Sequence, residues 1–125
     1  MPQLGAGAQL VRSYGPEGFR IGQDNYTSHV LVLPHATVAW SGELTIEAIA
    51  PLLSAEPATE IMLIGTGKRH EMIAPELKRA LNERGVGFDT MDTGAACRTF
   101  NILLGEGRRV AAALLLPQEA GSTAR

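Results

Sequence analysis

Two short segments of the chain carry residue types suited to holding an anion, GTG at 65–67 and DTG at 92–94. Glycine lets backbone N–H groups approach a ligand closely, and Thr66 and Thr93 add hydroxyls that donate or accept. Asp92 and Thr93 also suit the cap of a helix running from about Gly94 or Ala95 to Leu104, whose positive dipole end would face the same ligand. Lys68, Arg69 or Arg98 would contribute charge. Asn101, three residues beyond Arg98 on the same helix face, would add an amide. The candidate ligand-binding set is therefore Gly65, Thr66, Gly67, Asp92, Thr93, Gly94, Arg98 and Asn101. These residue types also make ordinary strand-exit turns and caps, so a purely structural role stands beside the binding role at every position. For Asn101 the structural role, a bond to backbone, is the stronger of the two.

Other chemistry finds less support. GTGKRH at 65–70 meets neither nucleotide fingerprint: His70 stands where a dinucleotide loop needs its third glycine, and Arg69 where a P-loop needs Ser or Thr. Cys97 falls near the first turn of the helix after Asp92, where the dipole favours a thiolate. Adjacent helix residues point about 100° apart, so Arg98 need not touch the sulfur, and a buried apolar role is expected for the cysteine. His29 and His35 have no second ligand at metal spacing, and no Ser/His/Asp set or carboxylate pair occurs at a recognisable spacing. The expectation is no catalytic residue, no metal and no cofactor.

Composition narrows the function classes further. A net charge of −2 gives no general attraction to a phosphate backbone, and the basic clusters KRH at 68–70 and GRR at 107–109 read as solvated turns, so no nucleic-acid partner is expected. One cysteine permits no internal disulfide and fits a reducing compartment. The N-terminal residues lack a basic region followed by an apolar one, and no apolar run reaches the roughly 18 residues of a membrane span. A cytoplasmic protein without a membrane span is the expectation.

The elements that must position the two loops follow from periodicity. EIMLI at 60–64 is a short apolar run ending at Gly65, as in a strand covered on both faces. Pro75 fits a first helical position and Gly85 the place just past the end, with Leu77, Ala80 and Leu81 facing inward. GFDTM at 87–91 is the next strand. Strand, helix and strand over about thirty residues make a right-handed βαβ unit, which sets the two strands parallel and brings both threonine loops to one rim. RRVAAALLL at 108–116 reads as a central strand of the same sheet.

Upstream, FRIG at 19–22 and YTSHVLVL at 26–33 read as a hairpin, and TVAW at 37–40 as a further short strand. Thr45 caps a helix over 45–53 whose inward face is Ile46, Ile49, Ala50 and Leu53, with a kink at Pro51. The reading is one α/β domain over 11–116, a mixed central sheet containing a βαβ unit with an appended β-hairpin, between flexible termini at 1–10 and 117–125.

YGPEGFRIG (14–22), LVLP (31–34), Trp40, IGTG (64–67) and DTGAACRTFNILLGEGRRVAAAL (92–114), in this order and spacing, resemble the small prokaryotic proteins related to mitochondrial respiratory complex I assembly factor 3. The resemblance covers about 11–116. It implies a three-layer α/β fold with a mixed central sheet and an extra hairpin, and a non-enzymatic role in binding or assembling proteins. It also implies that an aromatic residue followed by Asn, here Phe100 and Asn101, is more typical of the family than Cys97. The partner expected on this ground is a protein, such as a membrane respiratory or assembly complex. The alternative is a small-molecule or anion-binding domain, enzymatic or not, that uses the Gly65–Gly67 and Asp92–Gly94 loops.

Overall fold

The structure, a computed structural model, describes residues 9–55 and 58–118. Five strands form the main sheet in the order β5 (Thr37–Trp40), β4 (His29–Val32), β8 (Val110–Leu114), β6 (Ile61–Gly65), β7 (Gly87–Met91). β6 runs parallel to both β7 and β8, and β4 is antiparallel to β5 and β8. The sheet is therefore mixed, and the chain leaves β5, β6, β7 and β8 on one rim.

β8 is the middle strand and is buried along its whole length, which explains why its sequence is continuously apolar. Val110, Ala112 and Leu114 join the core on one face of the sheet, and Ala111 and Ala113 the core on the other. The first core is closed by α3 (Thr93–Gly105) through Ala96, Cys97 and Phe100, together with Val11, Phe19 and Ile21 of a small second sheet. The second core is closed by α1 (Ala50–Leu53) and α2 (Pro75–Glu83) through Leu52, Leu77 and Leu81. The result is the three-layer α/β arrangement with a mixed central sheet.

The appended hairpin is richer than the sequence pattern implies. β1 (Val11–Gly15), β2 (Gly18–Ile21) and β3 (Asp24–Tyr26) form a three-stranded antiparallel sheet, with Phe19 paired to Tyr26. The expected continuous strand over 26–33 is divided: Thr27 and Ser28 separate β3 from β4, which belongs to the main sheet. The division has a packing cause. Phe19 and Ile21 share a core with Val30 and Val32, so the hairpin must fold over the face of the main sheet, and the chain turns between Tyr26 and His29 to do so. β1 is hidden in the sequence because only Val11 of its five residues is fully buried.

The helix expected over 45–53 is mostly a turn. Thr45 caps as anticipated, its Oγ1 accepting from the Ala48 N–H at 3.1 Å. Regular helix begins only at Ala50, because Pro51 has no N–H to bond to Glu47 and is accommodated in a first turn, where no such bond is needed. α2 starts at Pro75 as expected, and Gly85, at φ +70°, follows its C-cap Arg84 in the left-handed region that glycine adopts most readily. Of the termini expected to be flexible, residues 1–8 and 119–125 lie outside the described residues. The Leu10 carbonyl accepts from the Gly22 N–H at 2.9 Å, and Gln118 Nε2 donates to the Pro16 carbonyl at 3.0 Å.

Candidate functional site

The parallel pairing of β6 with β7 delivers Gly65, Thr66 and Gly67 to the same rim as Asp92, Thr93 and Gly94. Beyond the strand ends the loops are stitched together. The Thr66 N–H donates to the Met91 carbonyl at 2.9 Å, and the Thr93 N–H to the Gly67 carbonyl at 2.8 Å. Thr93 is fully buried: its Oγ1 accepts from the Gly67 N–H at 2.8 Å and donates to the Leu115 carbonyl at 2.7 Å, so one hydroxyl links the exits of β6, β7 and β8. Thr66 Oγ1 accepts from the Glu71 N–H at 2.9 Å and lies 2.7 Å from the Arg69 carbonyl, to which it donates. Both hydroxyls thus shape the rim from within. Gly65 allows this closeness, since a Cβ there would stand 3.0 Å from both Thr93 Cα and Thr93 Oγ1.

The N-terminus of α3 is capped by its own carboxylate. Asp92 Oδ1 accepts from the Ala95 N–H at 2.9 Å and places a negative charge against the positive helix end. The rest of the candidate set turns toward the small sheet. Arg98 Nη1 donates to Tyr14 Oη at 2.7 Å, above Gly94, where a Cβ would meet that same oxygen at 3.0 Å. Asn101 bonds to the backbone of Val11 through both ends of its amide. The eight residues therefore divide into a threonine rim and a face of α3 that holds β1. Cys97 sits between these in the core, 1% exposed, and burial pushes its thiol up to about 12, against the opposing pull of Arg98.

The open part of the rim lies on the other side of β6, toward β8 and β4. A cleft of about 410 Å³ is lined by Thr66, Gly67, Lys68 and Arg69 from the loop after β6, Leu115 and Leu116 after β8, and Ser41 and Gly42 after β5, with His29 at the start of β4. His29 Nδ1 accepts from the Leu116 N–H at 2.8 Å, and the ring packs edge-on to Trp40 with centroids 6.2 Å apart. Burial lowers the pKa of His29 from its ordinary value. Periodicity could not single out His29, because its role depends on which strand lies beside β4. The signal that was available is indirect: a histidine opening a buried strand whose partner strand ends on the ligand-facing rim.

Among the described residues no helix is long and apolar enough to cross a membrane, and no group of three His, Cys, Asp or Glu side chains is placed to hold a metal ion.

A mixed sheet with its parallel exits on one rim and a small antiparallel sheet laid over one face is an architecture shared with known proteins. Residues 11–115 match the family described as proteins of unknown function, DUF498/DUF598, and the chain belongs to this family. The zebrafish NADH dehydrogenase [ubiquinone] 1 alpha subcomplex assembly factor 3 is 34% identical over 98% of this chain and 72% of its own length. Of the bovine counterpart, 36% identical, the chain spans 62%. A solved structure described as an outer membrane protein from Bartonella henselae is 35% identical, with a TM-score of 0.79, and the match covers 89% of this chain and 97% of that one. The Mth938-like domain of Bordetella pertussis is 29% identical, with a TM-score of 0.76, over 95% of this chain and 92% of that one.

Proposed function

We propose that this chain is a non-catalytic assembly factor: it binds a protein partner in the cytoplasm, at the inner face of a membrane respiratory complex, and supports that complex's construction. The observation that carries the reading is the kinship with assembly factor 3 of NADH dehydrogenase, which runs across nearly the whole of this chain. The chemistry of the most reactive side chains is consistent with it. The hydroxyls of Thr66 and Thr93 are committed to backbone, and Cys97 keeps its proton inside the core. A binding factor needs a stable, well-positioned surface more than an activated nucleophile, and the stitched rim and the pinned small sheet supply one.

The test is affinity capture of the tagged chain from its own cells with quantitative proteomics. Enrichment of subunits or assembly intermediates of a NADH dehydrogenase is the expected outcome. Recovery of no partner above background across several growth conditions overturns the reading.

A further inference from the structure

The cleft on the rim has a chemical character of its own, set by the tautomer of His29. An amide N–H can only donate, so the Nδ1 that faces the Leu116 N–H at 2.8 Å must present its lone pair. In the neutral ring the proton then sits on Nε2. Nε2 is directed into the space over Gly42, where a Cβ would stand 2.7 Å from His29 Cδ2 and 3.1 Å from Nε2. Gly42 has φ +91°, a conformation that L side chains rarely adopt. The same glycine therefore makes the turn after β5 and leaves room for the Cδ2–Nε2 edge of the ring, which a side chain there would meet. Among the described residues this donor has no partner.

Lys68 and Arg69, whose side chains carry only donors, line the same cleft, and Leu115 and Leu116 supply apolar surface. Glu71 also lines the cleft. A neutral imidazole donor in a cleft that Arg69 also lines, beside apolar surface, matches a small molecule with an anionic head and a short carbon body, and a volume of about 410 Å³ is of the size that takes such ligands.

We propose that the cleft bounded by His29, Gly42 and the Gly67–Arg69 turn binds a small anion bearing a carboxylate or phosphate group, with His29 Nε2–H and the Arg69 guanidinium as its polar contacts. The site is separate from the protein-binding role proposed above, and a failed partner capture leaves it unaffected.

The test is a titration of the isotopically labelled chain followed by NMR, with inorganic phosphate in one arm, succinate in a second and sodium chloride at matched ionic strength in a third. Saturable shifts at the amides of Gly42, Gly67 and Arg69 and at His29 Nε2 are expected with phosphate, succinate or both, and not with chloride. Which arm saturates identifies the head group. Arg69→Ala should weaken binding about tenfold, as loss of a charge-assisted bond does. His29→Asn keeps an acceptor for the Leu116 N–H, while its own donor, the amide NH2, stops short of the Nε2 position, so it should weaken binding several-fold without unfolding the chain. Shifts equal to those with chloride, or affinity unchanged in both variants, overturn the proposal.

Discussion

Asn101 spends its whole amide on one residue: Oδ1 accepts from the Val11 N–H and Nδ2 donates to the Val11 carbonyl, both at 2.9 Å. β1 is an edge strand of the small sheet, and Val11 is buried, so water does not supply these partners. A primary amide presents one donor and one acceptor side by side as a neighbouring strand would, and α3 thereby completes the edge of β1. Asn101→Leu should cost about 1–3 kcal/mol for each stranded backbone group, read from urea unfolding, and should speed hydrogen exchange at the Val11 amide. Asn101→Asp, which retains only the acceptor, should fall between. An unchanged midpoint with unchanged Val11 exchange would show that other contacts hold β1.

Thr93 makes a similar prediction for the rim. Its hydroxyl serves the Gly67 N–H and the Leu115 carbonyl at once, inside a fully buried site. Thr93→Val preserves shape and removes both bonds, so a loss of about 1–3 kcal/mol per unpaired group is expected in denaturant unfolding. Thr93→Ser should recover most of it, because the lost methyl costs less than the lost hydroxyl. If Val and Ser variants unfold together, the stitching does not stabilise the fold.

How far such features can be read from sequence depends on whether their cause is local. The parallel strands 61–65 and 87–91, the Asp92 cap and the Gly85 stop follow from apolar runs, helix-end chemistry and glycine, all within a few residues. The central place of Val110–Leu114 was legible because only a strand covered on both faces can be so continuously apolar. The split between Tyr26 and His29 was not, since its cause is a core shared by Phe19 and Val30. Asn101 and Arg98 were legible as polar residues on one helix face. Their partners, Val11 and Tyr14, lie 90 and 84 residues away in sequence, beyond any pattern of spacing. The cleft was hidden for the same reason: it joins the ends of strands that become neighbours only in the sheet.

Cys97 should behave as part of the core. With its thiol pushed up to about 12 by burial, a thiol reagent at pH 8 should label the native chain only as fast as the core opens, and label it fully in denaturant. The same shift gives a pH dependence. Between about 9 and 12 the unfolded chain has released the thiol proton and the native chain has not, so stability falls as pH rises, by about 1.4 kcal/mol per unit from this group alone. Cys97→Ala should lack that slope. Rapid labelling of the folded protein would place the sulfur at the surface instead.

His29 shifts stability at the other end of the pH scale. Folding lowers its pKa, through burial, and its Nδ1 lone pair is engaged by the Leu116 N–H. Below about pH 6.5 the unfolded histidine takes up a proton that the folded one resists. Its contribution is therefore complete above that pH and is lost progressively as pH falls toward the lowered folded value. Protonation of Nδ1 would also set an N–H against the Leu116 N–H. The rest of the chain is common to wild type and variant, so the useful quantity is a difference. Measured by urea unfolding at pH 7.5 and 5.5, the wild-type chain should lose more stability on acidification than His29→Asn, whose amide oxygen can still accept from Leu116. Parallel losses in the two proteins would mean that His29 takes up its proton as freely in the fold as in the unfolded chain.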